Sequence, residues 1–515
     1  MPELSERLIE AATKGMTASV WASHKPDAVA IYDPIGARTF FEVNANANRV
    51  VRLLRANGVR QGDAVALMCS NRAEFVEVLS AALRGGYRIT PVNWHLTVDE
   101  VEYIINDCEA KALIAETRYP AALQAKTPDV RIKISIGEDA PGFTPYAAGI
   151  APLDGADIDD PILGGGMLYT SGTTGRPKGV YRRNSPAVLV PGPGAPNDVQ
   201  LCAGPAYHAA PLAFDVRSAM AQGNPLVFLD RWDSEHVLRT IERYKVTRAH
   251  LVPIMFQRLL ALPEAVKAKY DLTSLNFIIH GAAPCPPEVK KAMIDWWGPI
   301  LNEYYAGSEG GAGFVITSQE WLAKPGTVGK LPAPGAAKLV DEEGVEITEP
   351  NRSGTIYFKV SPIAPFEYFK DPDKTAAAHR GDYFTLGDVG YLDEDDYLFL
   401  TGRTAECIIS GGVNIYPQEI DNEVIKHASV EDSCAIGVPN DEWGEEVKVV
   451  VTLHPGHQPS ETLGADILAF ARGRLAGFKA PRSIEFASEL PRSPAGKIQR
   501  GKVRAPYWAG RARQI

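Results

Sequence analysis

The stretch Tyr169-Thr170-Ser171-Gly172-Thr173-Thr174-Gly175-Arg176-Pro177-Lys178-Gly179 has the composition of a polyphosphate cradle. Its glycines let backbone approach an anion closely, its hydroxyls donate to oxygens, and Arg176 and Lys178 bring positive charge. A Walker A loop would end in Gly-Lys-Ser/Thr; here Pro177 precedes Lys178 and Gly179 follows it, so that assignment fails. Two other constellations carry less. Ala306-Gly307-Ser308-Glu309-Gly310 presents a serine in a glycine-rich turn, but the nucleophile elbow of a hydrolase needs glycine where Ala306 stands. His454 and His457 flank Pro455-Gly456, a turn offering two ligands where a zinc site wants three or four.

Length and composition bound what must position these groups. A chain of 515 residues exceeds one core and should hold two to four structural units, at about 150 residues each. With 45% hydrophobic and 23% charged residues it reads as globular. A net charge of -10 argues against a general nucleic-acid or anionic-membrane binder, so any phosphate site is local. Six scattered cysteines without a CxxC pair read as reduced thiols and point to a cytoplasmic location. Met1 to Lys14 contains no apolar run of the signal-peptide kind, and no stretch of 18 apolar residues occurs, so neither a secretory signal nor a membrane span is expected.

Hydrophobic periodicity predicts a helix over Asn44–Leu54, a buried strand over Ala64–Met68, a second helix over Phe75–Arg84 and a strand over Tyr87–Val92. This alternation implies an α/β architecture of helix-covered sheets. Ser185–Asp198, rich in proline and glycine, reads as an exposed loop. From about Asp341 the pattern becomes hairpin-like, with strands at Gly354–Val360 and across Gly390–Leu400 around an acidic turn. Beyond Gly402 a small α+β unit is expected, with helices near Pro417–Lys426 and Thr462–Leu475; the boundary falls near Thr404–Glu406.

Four further segments extend the first. Tyr304-Tyr305-Ala306-Gly307-Ser308-Glu309-Gly310, Asp388 with Arg403 fifteen residues later, Ile409-Ser410-Gly411-Gly412-Val413-Asn414 through Ile420, and Pro491-Arg492-Ser493-Pro494-Ala495-Gly496-Lys497-Ile498 follow it along the chain. Together the five motifs, in this order, resemble those of the adenylate-forming (AMP-binding) superfamily of acyl-CoA synthetases, luciferases and peptide-synthetase adenylation domains. The resemblance spans nearly the whole chain. It implies a large N-terminal domain, residues 1–404, of helix-covered β-sheets plus a β-barrel-like portion, and a small mobile α+β domain, residues 405–515, carrying a catalytic lysine.

It also implies ATP, Mg²⁺ and CoA as reaction partners and assigns roles. ATP or AMP would be held by Thr170, Ser171, Gly172, Thr173, Thr174, Gly175, Lys178, Gly281, Ala282, Ala283, Glu303, Tyr304, Tyr305, Ala306, Gly307, Ser308, Asp388, Arg403 and Lys497. Tyr305 would stack on the base and Asp388 would accept from the ribose. Thr170 and Glu309 would hold Mg²⁺, which prefers one or two carboxylates plus phosphate oxygens and water. Lys497, Glu309, Ser308 and His208 are the catalytic candidates, Lys497 bridging the attacking carboxylate and the α-phosphate. The acyl group would meet Tyr207, His208, Leu212, Val252 and Tyr304, and CoA would meet Ser410, Gly411, Gly412, Trp443 and Arg482.

The chemistry explains these types. A carboxylate is a poor acyl donor because its leaving group would be oxide; a mixed anhydride with AMP activates it, and a thiol then displaces AMP. His208 stands where amino-acid-adenylating relatives carry an amine-binding aspartate, so an uncharged, largely apolar acid without an α-amino group is expected: a medium or long fatty acid, an aryl acid or a steroid side-chain acid. One departure concerns Ala405, at the hinge, where relatives usually carry Asp or Lys. The alternative outcomes are transfer to a carrier-protein thiol and a luciferase-like oxidation. Oligomeric state stays open, a homodimer included.

Overall fold

A computed structural model describes residues 2–509 apart from 171–176, 183–194, 196, 342, 362–364, 404–405, 411–412, 441–442, 476 and 494–495. Its architecture is mixed α/β, with a large N-terminal part and a small C-terminal one. Ala64–Met68 is a strand at the expected bounds, and all five residues are buried. A continuous apolar run of this kind belongs to a parallel strand covered on both faces. The expected helix around Asn44–Leu54 runs over Phe40–Ala56, its start fixed by a capping box in which Thr39 and Glu42 bond each other's backbone N–H.

Two eight-stranded sheets form the body. One runs in the order Gly310–Thr317, Leu301–Gly307, Phe277–His280, Arg248–Leu251, Gln200–Cys202, Leu226–Phe228, Val29–Tyr32, Ala37–Thr39, parallel except at its two edges. The other runs Glu367–Tyr368, Lys178–Tyr181, Gly165–Thr170, Arg88–Pro91, Ala64–Met68, Ala110–Glu116, Ile132–Ile136, Thr144–Pro145. Gly165–Thr170 and Lys178–Tyr181 pair antiparallel, with Thr170 opposite Lys178, so the phosphate-loop motif spans the end of a hairpin. The barrel-like portion is a six-stranded antiparallel sheet from Ala337–Val340 to Leu398–Arg403. In it Asp388 lies opposite Arg403 in register.

The C-terminal part is a five-stranded sheet centred on Val430–Asn440 and Gly444–Leu453, covered by helices Pro417–Val424 and Glu461–Arg472. Arg500, three residues beyond Lys497, fixes this unit internally. Its guanidinium reaches Asp421 at 2.9 Å, the Ala435 carbonyl at 2.5 Å and Glu406 at 3.1 Å. Charge-assisted bonds of this kind are roughly twice as strong as neutral ones.

Between the two sheets of the body runs a helix with an unusual centre. Pro211–Arg217 is wound as a π-helix and continues as the α-helix Ser218–Gln222; the Ser218 N–H donates to the Ala213 carbonyl, five residues back. Pro211 has no N–H to give to an α bond at that point. Asp215 anchors this segment to the first sheet: its Oδ1 accepts from the His250 N–H at 2.9 Å and from Gln200 Nε2 at 2.8 Å. Such π-wound stretches concentrate at functional sites.

Candidate active site

The π-wound helix, the strand Leu301–Gly307 and the hairpin Gly165–Tyr181 enclose a cavity of about 1280 Å³. His208, Leu212, Phe214 and Arg217 line it from the helix side, and Tyr304, Ala306, Gly307 and Ser308 from the first sheet. Gly166, Leu168, Val180 and Arg182 face it from the hairpin, and Val252, Ile254 and Ala282 from neighbouring turns. Arg492, Ser493, Gly496 and Lys497 close it from the C-terminal part. Lys497 therefore shares a chamber with His208 and Ser308, residues nearly two to three hundred positions earlier.

Its loop is held by a tight turn. The Ser493 N–H donates to the Lys497 carbonyl at 2.7 Å, the Gly496 N–H to the Ser493 carbonyl at 2.8 Å, and Arg492 pairs with Asp432. Gly496 has φ 79°, and a Cβ there would sit 2.5 Å from Ile254 Cγ2. The turn therefore docks on the large part through a glycine with no room for a side chain.

His208 presents a neutral ring. Its Nε2 is sealed and meets no partner among the described residues, and Tyr207 packs behind it with ring centroids 4.4 Å apart. Burial first, then the positive charges of Lys497 and His95, push His208 down to about 4. His250, behind Phe214 and 3.2 Å from the Tyr304 hydroxyl, is pushed by burial to about 3. An imidazole in the unfolded chain takes its proton near pH 6.5, so below that pH the unfolded state binds protons that the folded state refuses, and stability falls as pH drops from 6.5 towards 4. For His208 the loss reaches about 3 kcal/mol at pH 4. His208→Gln and His250→Gln should each flatten the thermal midpoint against pH over that range; an unaltered slope would mean these rings take up protons without penalty.

Around the cavity the polar groups fall into clusters. Glu309 accepts from the Tyr368 hydroxyl at 3.0 Å, and the Lys178 ammonium lies 5.9 Å from the centre of the Tyr368 ring. Arg182 donates to the Ser308 carbonyl at 3.2 Å; burial pulls its pKa down, opposed by the charge of Glu309. Asp388, buried, accepts from the Tyr305 hydroxyl at 2.7 Å, which joins the expected ribose and base contacts. Gly281 permits close approach, since a Cβ would lie 2.5 Å from the Tyr304 carbonyl oxygen. Ala282 holds a left-handed backbone, φ 66°, a conformation that costs a non-glycine residue about 1 to 3 kcal/mol. Ala283 is half-buried beside it. Ser410, Trp443 and Arg482 lie outside the cavity lining; the Arg482 guanidinium stacks 4.9 Å from the Trp443 ring centre. Ser171, Gly172, Thr173, Thr174, Gly175, Ala405, Gly411 and Gly412 lie outside the described residues, as does the Arg403 side chain.

Two expectations need correction. The Glu303 side chain does not face the nucleotide side: it makes a 2.6 Å ion pair with fully buried Lys290, 3.9 Å from His280. Neighbouring residues of a strand point to opposite faces, and Tyr304 and Ala306 take the cavity face. Tyr207 is not a lining residue; it is 5% exposed and packs edge-on against Trp94 at 4.4 Å, supporting His208 from behind.

Sequence reasoning also missed three residues. Asn71 pins the turn before His208, donating to the Gly204 and Leu229 carbonyls and accepting from the Ala206 N–H. Arg182 and Arg217 bring guanidinium groups into the cavity wall. A lone arginine in the run Ala209-Ala-Pro-Leu-Ala-Phe-Asp-Val-Arg217 was the available signal for the last.

The model of the AMP-binding enzyme family matches residues 19–365, and that of the AMP-binding enzyme C-terminal domain matches residues 419–497. The chain belongs to the AMP-binding enzymes. Relatives of this AMP-binding enzyme include a feruloyl-CoA synthase of Amycolatopsis sp, 33% identical over 94% of this chain and 97% of the relative. A fatty acid–[acyl-carrier-protein] ligase, ScoC of Streptomyces coeruleorubidus, is 30% identical over 97% of each. Among solved structures, the anthranilate CoA ligase AuaEII in complex with anthranoyl-AMP superimposes with a TM-score of 0.83 at 25% identity, covering 95% of this chain and 97% of the other. No helix among the described residues is long and apolar enough to cross a membrane.

Proposed function

We propose that this acid–thiol ligase converts a carboxylic acid without an α-amino group into its acyl-adenylate at the expense of ATP, then passes the acyl group to CoA, releasing AMP and pyrophosphate. The observation that carries the reading is the Lys497 turn seated in the same cavity as His208, Leu212 and Ser308. Attack of the carboxylate oxygen on the α-phosphorus forms the mixed anhydride and expels pyrophosphate; the charge that develops there is what Lys497 meets. Attack by the CoA sulfur on the acyl carbon then forms the thioester and expels AMP.

The remaining residues divide the work. Asp388 and Arg403 hold the ribose, Tyr305 with Gly281 to Ala283 the base, and Thr170, Lys178 and Arg182 the phosphates. A hard cation fits Glu309, whose carboxylate needs phosphate oxygens and water to complete a shell. Bound there by Glu309 and Thr170, Mg²⁺ would supply charge neutralisation on the departing pyrophosphate. The cut at 404/405 divides a catalytic body from a smaller unit that brings Lys497 for the first step and Ser410, Trp443 and Arg482 for CoA in the second.

Apolar lining by Leu212, Phe214, Val252, Ile254 and Met255 supports an acid with a largely hydrocarbon or aryl body. The lining carboxylate, Asp230, is engaged by Arg118 through two hydrogen bonds of 2.9 and 2.5 Å, so no acid stands ready for an ammonium group. An unpaired buried cation is costly. Pyrophosphate exchange over short, long, aromatic and steroidal acids should therefore give a selective response. Any common α-amino acid should fall at least a hundredfold below the best of them; parity would overturn the reading of the pocket. The relation to ScoC favours one second reading, delivery to a carrier-protein thiol. Thioester formation with CoA against acyl carrier protein as acceptor separates the two.

A further inference from the structure

Arg217 sits on the last turn of the π-wound helix, its guanidinium in the cavity wall. The residue is half-buried, and its Nη2 lies against Gly166, where a Cβ would be 3.4 Å away. Its Nε is sealed from solvent and meets no acceptor, and no ion pair reaches Arg217 among the described residues. The other charge felt there is a second cation, Arg182. That cation already has the Ser308 carbonyl and the field of Glu309, so the pair leaves one positive charge uncompensated.

Native interiors pair or hydrogen-bond such a group, and the cost of leaving it unpaired is paid where a ligand will complete it. The helix also measures where that ligand must reach. Nine residues separate His208 from Arg217, about 13 Å at the 1.5 Å rise of an α-helix, and less where the winding is wider. Wide apolar walls lie between.

We propose that Arg217 is a specificity-determining residue, receiving a second oxygen acceptor at the end of the acid remote from its reacting carboxyl. This rests on the ligase reading above and deepens it: the preferred substrate is an apolar-bodied acid tipped with a carboxylate, hydroxyl or keto oxygen. Burial, and then the charge of Arg182, pulls Arg217 down to about 10, which agrees with a cation still charged at neutral pH but short of partners.

The test uses acids matched in body and different at the tip: decanoic, ω-hydroxydecanoic and decanedioic acids, and cinnamic, 4-hydroxycinnamic and 4-carboxycinnamic acids. In steady-state pyrophosphate release the intact enzyme should favour at least one oxygen-tipped member by tenfold or more in kcat/KM, chiefly through KM. A carboxylate-led preference identifies charge pairing, a hydroxyl-led one hydrogen bonding. Arg217→Met should abolish or invert the preference while leaving the methyl-tipped acid as good or better, and its thermal midpoint should hold or rise because an unpaired charge leaves the interior. Arg217→Lys should keep the carboxylate preference. Equal or better turnover of the unsubstituted acids by the intact enzyme overturns the proposal, as does a uniform loss across all tips in Arg217→Met. No exchange with any acid of the panel in either protein would defeat the ligase reading itself, and this inference with it.

Discussion

Lys497→Ala is expected to lower formation of the acyl-adenylate by about a hundredfold or more, while transfer from preformed acyl-AMP to CoA proceeds near the parental rate. Loss of one cation at a developing oxyanion in an enclosed site costs roughly 3 kcal/mol, which is about that factor. The turn from Ser493 to Lys497 is held by its own backbone, so removal of the ammonium leaves the turn in place. Single-turnover assays of the two half-reactions, one started from acid and ATP and the other from synthetic acyl-AMP, check the split. Equal damage to both would mean that Lys497 serves the fold or both steps alike.

The neighbouring glycine should give the second large effect by a different route. In Gly496→Ala the new Cβ meets Ile254 Cγ2 at 2.5 Å, and the backbone must hold φ 79° against the preference of an L-residue. Strain of this kind costs about 1 to 3 kcal/mol, so adenylation should fall by about tenfold or more. The penalty arises only where the turn is docked on Val252 and Ile254, so transfer from preformed acyl-AMP should be spared. Ile254→Ala in the same chain should recover part of the loss, since it removes the atom that the new methyl strikes. A double-mutant cycle on adenylation rates measures this coupling. Strict additivity would show that the docked contact has no part in the first step.

The elements were readable where burial is continuous. Ala64–Met68 is buried at every position, and a five-residue apolar run bounded by polar turns has few other homes. The helices at Pro417–Val424 and Glu461–Arg472 were legible from their amphipathic period. The phosphate-end residues Thr170, Lys178 and Glu309 were placed by motif, and the structure sets Lys178 and Glu309 about one tyrosine, Tyr368. Directions were less accessible. Glu303 and Tyr304 are adjacent in a motif, yet strand alternation sends one to Lys290 and the other into the cavity. Which face is which depends on the helix packed against the strand, and no local pattern carries that. Arg217 escaped for a related reason. The spacing of 3.6 residues per turn gives the facing of an α-helix, whereas this stretch bonds five residues back and turns its side chains through a different angle.

That winding also separates two kinds of sequence change. A substitution within Pro211–Arg217 alters what a position presents but keeps its direction. Deleting one residue there, so that the stretch closes to α geometry, would carry each following side chain about 100° around the axis. The guanidinium would swing off the cavity wall and a different residue would take its bearing. The sheet contacts of Asp215 would have to be remade as well. Chain length in this helix thus acts as a selector for which side chain reads the far end of the acid, leaving the chemistry at Lys497 untouched. Among relatives with the same motifs, changes of taste can be written as insertions and deletions in one turn of helix.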